Sequence, residues 1–388
     1  MNNLNEIKLL FSLLRSVIVG SPLSEAEKGT FSSELLCSLF KITNKHDISH
    51  LLVYSLKQNG LLSKEDSGLE KDVFKAIYRC ERLQYEYKLL CDALEKAQIP
   101  FLPLKGSVLR AYYPETWMRT SCDIDILVHK ENLEDAIAYL SENLKYEEKE
   151  RATHDVSLFS PGGIHIELHF DLVEEGRANN AIRILQKVWE DAKPREESNY
   201  FYEMSDAFFY FYHIAHMAKH FETGGCGIRP FIDLWILDHL KNVDKAQRDA
   251  LLEQSGLKKF ADNARALSRV WMEGEEPNET LLQLQSYLLN GGVYGSTDNR
   301  VALNQTKKGG RFGYLLSRIF IPFAKLKRYY PILEKHPWLM PVMQVRRWFM
   351  LFRPDVAAMA KRELVTNGTL EKSQADQMKI FLDEIGLS

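Results

Sequence analysis

The sequence predicts a predominantly helical α+β protein, in which a small mixed sheet with flanking helices is set between N-terminal and C-terminal helical regions. Three observations carry this. Apolar residues recur at helical spacing over residues 6–96, as in Leu9, Leu10, Leu13, Leu14 and Val17, and helical periodicity returns after Asp191 and persists to the end. Between these regions, residues 99–172 hold short apolar runs and acid–aliphatic alternation that suit strands. At 388 residues the chain also exceeds what one hydrophobic core usually serves, so several domains are expected. The boundaries expected are 1–96 for an N-terminal helical region, 97–175 for an α/β core, 176–300 for a helical domain completing a cleft, and 301–388 for a basic, aromatic helical region.

Taken in order, residues 70–96 are rich in Glu, Lys, Leu and Ala and read as one long helix. The pattern changes at Ala97-Gln98-Ile99-Pro100. Phe101-Leu102-Pro103-Leu104 is too short for a helix and reads as a buried strand ending at Gly106. A short helix at 108–112 follows and stops before Pro114. Cys122-Asp123-Ile124-Asp125-Ile126-Leu127-Val128 alternates acid and aliphatic before becoming wholly apolar, which marks a strand with one wet end. A helix at 133–144 comes next, then strands at 154–159 and 164–172 joined by Ser160-Pro161-Gly162-Gly163, a hairpin signal. Further helices are expected at 205–221, 230–240, 246–254, 258–272, 280–289 and 372–385.

Composition is that of a packed globular chain, 45% apolar and 27% charged, with no long Pro- or Ser-rich tract. The five cysteines are scattered without a C-x-x-C pair, so neither a disulfide framework nor a zinc knuckle is indicated and a reducing compartment fits best. The N-terminus lacks a basic n-region and a small-residue cleavage site, and no apolar run reaches the roughly 18 residues of a membrane span. The expectation is a cytoplasmic protein.

In a strand, side chains at i and i+2 share a face, so Asp123 and Asp125 project together while Ile124 and Ile126 enter the core. Two adjacent carboxylates repel, and a hard divalent cation neutralises them at least cost; Mg²⁺ favours a few carboxylates plus phosphate and water oxygens, and Mn²⁺ is an alternative. On the later strand His165, Glu167, His169 and Asp171 share one face, so a third acid can complete the cluster. Glu167 is the first choice and Asp171 its rival. The turn Lys105-Gly106-Ser107 joins a strand to a helix, where a glycine lets backbone N–H groups approach phosphate oxygens and a serine adds a hydroxyl.

Lys105-Gly106-Ser107, Tyr113-Pro114, the run from Arg119 through Asp123 and Asp125 to Val128, and Ile166-Glu167-Leu168-His169 together resemble the polymerase-β-type nucleotidyltransferase superfamily, and more closely a bacterial family of uncharacterised nucleotidyltransferases. The similarity covers roughly residues 95–240. It implies a nucleotidyltransferase-type sheet and Mg²⁺ ions held by Asp123, Asp125 and Glu167, with Glu167 helping to deprotonate an acceptor hydroxyl that attacks the α-phosphorus of an NTP. It also implies that Gly106 and Ser107 hold the β- and γ-phosphates, with Lys105 or Arg119 offsetting their charge. The third acid is Glu here, where Asp is commoner. Against these roles stand a plain surface lysine for Lys105 and a loop-bracing salt bridge for Arg119.

His213, His216 and His220 lie at i, i+3 and i+7 and share one helical face. No thiol or carboxylate stands at the usual companion spacing, so zinc is disfavoured, and hydrogen-bonded core histidines are the plain alternative. The resembled family has a signature here, which implies substrate contact by His220 and Arg229, with Asp233 orienting Arg229. From Lys307 to Arg353 eleven Lys or Arg stand against one acid, Glu334, interleaved with ten aromatics. The favoured reading places those aromatics in a core and the cations along a nucleotide cleft. Nucleic acid, an anionic glycan acceptor and a membrane surface are less favoured. The acceptor stays open among a small molecule, a glycan precursor, a protein and an RNA end. A toxin-like nucleotidyltransferase acting on tRNA or protein, suggested by the R-x-S-x-D-x-D spacing, and a non-catalytic nucleotide sensor are the alternatives.

Overall fold

The structure is a computed structural model that describes residues 4–62, 68–173, 179–221, 224–240, 243–293, 295–370 and 372–387. The expected boundary at 175 and the first three residues lie outside them. Helical periodicity at the N-terminus resolves into α1 (Leu4–Ile18), α2 (Glu25–Lys28), α3 (Ser33–Lys45), α4 (Ser49–Gln58) and the long α5 (Lys71–Lys96). Leu10, Leu13 and Leu14 of α1 are fully buried, each such side chain contributing about 1.5–3 kcal/mol. Ser24 starts α2 with a reciprocal capping box to Glu27.

The α/β segment holds β1 (Phe101–Pro103), α6 (Gly106–Leu109), β2 (Asp123–Val128), α7 (Leu133–Leu144), β3 (Glu147–Arg151), β4 (Asp155–Phe159) and β5 (His165–His169). Its mixed sheet runs β1-β2-β5-β4-β3. The β4–β5 hairpin turns through Ser160–Gly163, where Gly163 takes a positive φ of 76° and its amide donates to the Ser160 carbonyl. β2 and β5 pair in parallel at the centre, with Asp123 opposite His165 and Asp125 opposite Glu167. Behind them Ile124, Ile126, Ile166 and Leu168 join Leu90 and Leu94 of α5 and Leu140 of α7 in one core. One strand of this sheet was not expected. β3 reads Glu-Glu-Lys-Glu-Arg with every residue exposed, so it has no apolar face to announce it, and its charges suit an edge. The last strand is also shorter than expected: it ends at His169, where pairing to Leu127 ends.

Beyond the sheet come α8 (Asn180–Leu185), α9 (Val188–Asp191), a short ribbon of β6 (Lys193–Pro194) and β7 (Tyr202–Glu203), α10 (Asp206–Phe221), α11 (Arg229–Asp238), α12 (Lys245–Ser255) and α13 (Lys258–Glu273). They are followed by α14 (Glu279–Leu289), α15 (Thr297–Lys308), α16 (Arg311–Ile319), α17 (Phe323–Tyr329), α18 (Ile332–Lys335), α19 (Met340–Phe349), α20 (Pro354–Thr369) and α21 (Lys372–Ile385). The chain forms two units. One contains Met1–His216 and Ile228–Leu281; the other contains Met217–Gly227 and Leu282–Ser388. In the first, α1 and α13 meet through stacked Phe11 and Trp271 rings, 4.4 Å apart. In the second, Phe221 stacks on Tyr287 and Tyr287 touches Phe381. No helix of the described residues is long and apolar enough to cross a membrane.

The aromatics of residues 307–353 are mostly not core, which corrects the favoured reading of that stretch. Tyr314 is buried, but Phe312, Phe320, Tyr329, Trp338, Phe349 and Phe352 are exposed. Prolines at 322, 331, 337 and 341 cut the segment into short helices. Their shared core holds Ile321, Leu326, Leu333 and Met343, too small to take ten aromatic rings.

Candidate active site

Parallel pairing places the side chains of register partners on the same face of the sheet. Asp123 and Asp125 of β2 therefore meet His165, Glu167 and His169 of β5. Two overlapping groups result, Asp123–His165–Glu167 and Asp125–Glu167–His169, each with its donor atoms within 4.8 Å of one another. Glu167 belongs to both. Asp171 belongs to neither: it lies past the end of β5, and its carboxylate accepts the Val173 amide at 3.0 Å. Strand alternation would have kept it on the shared face only had the strand continued.

Lys105 is the internal countercharge of this cluster. Its Nζ lies 2.6 Å from Asp125 Oδ1 and 3.8 Å from Glu167 Oε2, so it is not a plain surface lysine. The backbone delivers it in an unusual conformation, φ 44° and ψ −119°, a region that costs a non-glycine residue about 1–3 kcal/mol and persists where surroundings impose it. His169 Nε2 reaches the same Asp125 oxygen at 3.0 Å and Glu167 at 3.4 Å. Burial alone would raise the Asp125 carboxyl, yet Lys105 and His169 outweigh it and hold it far below the ordinary range. Asp123 goes the other way, pushed up by burial and then by the charge of Asp125. In return, Asp125 lifts Lys105 and His169 against the downward pull of their burial.

The turn after β1 is built for close packing. A Cβ on Gly106 would meet Arg119 Nη1 at 3.1 Å and Ser121 Cβ at 3.2 Å, so glycine is what lets the loop before β2 press against it. The Ser107 amide is spent on the Leu104 carbonyl within the turn, which leaves the hydroxyl as the Ser107 donor for a ligand. Arg110 also binds the turn to the loop, giving Nε to the Gly106 carbonyl at 2.9 Å and Nη2 to Ser121 Oγ at 2.7 Å. Sequence reasoning missed Arg110, although it stands four residues after Gly106 and so reaches back along one helical turn.

Arg119 is paired, not loose. It grips Asp233 with two bonds, Nε to Oδ1 at 3.2 Å and Nη2 to Oδ2 at 3.0 Å, and Tyr113 donates its hydroxyl to the same carboxylate at 2.7 Å. Asp233 is fully buried. This corrects the expected partnership: Asp233 orients Arg119 rather than Arg229, because α11 presents it inward, to the loop before β2. Arg229 instead bonds the Thr120 carbonyl and lies 3.4 Å from Asp47 Oδ2. Both arginines thus brace the segment 119–121 that leads into Asp123.

α10 contributes differently along its length. Tyr212, absent from the sequence reading, is buried among Lys105, Asp125 and Glu167; burial raises its hydroxyl, and the two acids add to that. Its signal was only its position, one residue before His213. His213 gives its ring to the Pro230 carbonyl at 2.8 Å and is pulled down by burial, a structural histidine. His220 is on the last turn, in the second unit, where its carbonyl accepts the Gly225 amide at 3.0 Å. The reversal that follows takes positive φ at Gly224 and Gly225, as glycines there allow.

Oxygen-rich donors, two of them carboxylates on one strand with opposed proton affinities, suit a hard divalent cation, and the two histidines widen the choice to borderline metals. A family model described as an uncharacterised nucleotidyltransferase matches residues 37–273. No curated protein and no solved structure matches the chain. The match extends beyond the acidic sheet at both ends, taking in α4 and α5, whose residues support the loop before β2, and α11 to α13. Sheet, acid pair and match agree, and the chain belongs to the uncharacterised nucleotidyltransferase family.

Proposed function

We propose that this nucleotidyltransferase is metal-dependent and moves a nucleoside monophosphate from an NTP to a hydroxyl acceptor, releasing pyrophosphate. One observation supports the reading above others: the in-register parallel pairing of β2 and β5 that gathers Asp123, Asp125 and Glu167. Those three would hold Mg²⁺, or Mn²⁺, and a bound cation supplies charge neutralisation and alignment for an in-line displacement. Glu167, less buried than Asp125, takes the acceptor's proton as the acceptor oxygen bonds the α-phosphorus and the bond to the pyrophosphate oxygen breaks. Lys105 turns its ammonium from the acids to the incoming phosphates, with the Ser107 hydroxyl beside it at the Gly106 turn. Arg119 and Arg229 hold the loop and add positive potential.

Calorimetry with ATP, GTP, CTP and UTP, with and without Mg²⁺, followed by pyrophosphate release in a metabolite extract, tests the proposal. Binding is expected to need the cation, and Asp125→Asn is expected to lower turnover by about 10²-fold or more at an unchanged fold. A second reading has the Lys105–Asp125 ion pair in its favour: a nucleotide sensor whose acids are neutralised internally. Affinity that survives both metal removal and Asp123→Asn with Asp125→Asn would select the sensor and discard the two-acid mechanism.

A further inference from the structure

None of the residues given a role in that chemistry lies in the 307–353 stretch. Two of its helices turn apolar faces to solvent. Phe312, Leu316 and Ile319 stand at i, i+4 and i+7 of α16, and Val342, Val345 and Phe349 at i, i+3 and i+7 of α19. The opposite faces bury Tyr314 and Met343. The helices are joined, for Arg347 donates to the Arg318 and Ile319 carbonyls at 2.7 and 2.8 Å, and the Trp348 indole donates to Ile319 at 2.9 Å. Trp338 and Phe352 project further still, 73% and 82% exposed. A soluble surface rarely carries so much large apolar area in one segment without a partner.

We infer that this face docks on an anionic membrane surface, its apolar side chains entering the boundary between headgroups and acyl chains and its cations meeting lipid phosphates. Charge selects the partner. Lys307, Lys308, Lys325, Lys335 and Arg346 are exposed around these helices, and Glu334 is the one acid against eleven cations. A second copy of the same face would repel it. Single-stranded nucleic acid would use the cations and the rings, but it gives no role to Leu316, Ile319, Val342 and Val345, whereas a bilayer boundary takes aliphatic and aromatic groups together. Helices this short, cut by proline, lie along a surface; none spans it.

The test is co-sedimentation of the full chain with phosphatidylcholine vesicles, with and without phosphatidylglycerol. The chain is expected to pellet with the anionic vesicles and to leave them in high salt. Phe312→Ser, Phe349→Ser and Phe352→Ser together are expected to weaken partition about tenfold or more without lowering the melting midpoint, since these side chains are exposed. Independently, nitroxide-labelled lipid is expected to quench tryptophan emission, and Trp338→Phe to reduce that quenching with the fold intact. Failure to pellet, equal partition onto neutral vesicles, or unchanged partition of the triple variant would overturn the proposal. So would binding of single-stranded RNA in place of vesicles, or a dimer in solution that the triple variant abolishes while vesicles are ignored.

Discussion

Asp123 and Asp125 share a strand and a face, yet their surroundings give them opposite proton affinities. An ion pair near a protein surface at 4 Å is worth about 4 kcal/mol at an effective dielectric of 20, so the Lys105 ammonium at 2.6 Å, helped by the His169 hydrogen bond at 3.0 Å, keeps the buried Asp125 ionised. Among the described residues Asp123 has no such neighbour at that distance, and it is the acid with most to gain from an added cation. A second buried group, His50, gives a prediction free of that cluster. Its ring lies 3.0 Å from the Met118 carbonyl, just before Arg119, and burial pulls its pKa down to about 4 despite that bond. In the unfolded chain the imidazole titrates near roughly 6.5. Between these values the unfolded state binds more protons, so the contribution of His50 to stability falls as pH drops from about 6.5 to about 4. His50→Gln, which keeps a donor for Met118, is expected to lose about 2–3 kcal/mol less than the parent between pH 7 and 4.5. Urea unfolding at the two pH values measures it, and parallel losses would refute the assignment.

At the scale of elements, the site depends on a turn and a loop held face to face. Gly106 in α6 packs against Arg119 and Ser121, and Asp233 of α11 fixes Arg119, so the guanidinium has little room to yield. Gly106→Ala is expected to cost about 1–3 kcal/mol and to lower turnover more than it lowers nucleotide affinity, because the loop feeds directly into Asp123. Thermal melts and steady-state kinetics together decide it; a variant as stable and as active as the parent would show that the loop yields freely. The acid pair and the hairpin were legible in the sequence because period-2 alternation and a Gly-Gly turn are local signals. Helix limits such as 133–144 and 372–385 were legible for the same reason, at period 3.6. β3 was not, since an edge strand of exposed charges has no hydrophobic period to read. The Arg119–Asp233 pair and the Tyr212 neighbourhood were not either, because each joins residues distant in the chain, and spacing carries no information about which elements will meet. The exposed rings of 307–353 escaped for a related reason: composition shows aromatics but not the size of the core available to them.

At the scale of the whole molecule, the chain leaves one unit at His216, returns to it at Ile228 and leaves again at Leu281. The first unit is closed by its own ends, α1 against α13 through Phe11 and Trp271, and it contains the acidic sheet entire. The second includes the buried side chains Val301, Leu303 and Leu326. Two compact units of one chain need not unfold together, and a chain of this size commonly departs from two-state behaviour. Scanning calorimetry is therefore expected to resolve two transitions. Leu13→Ala removes a fully buried side chain from α1 and, at about 2–5 kcal/mol, is expected to move only the transition of the first unit. A nucleotide bound with its cation at the acids of β2 and β5 stabilises the state that contains the site, by about 2.7 kcal/mol at a hundred times its dissociation constant. The transition lowered by Leu13→Ala is then the one Mg²⁺ and NTP should raise. If ligand raised the other transition instead, the nucleotide would be binding to the second unit, and the acids of β2 and β5 would not be its site.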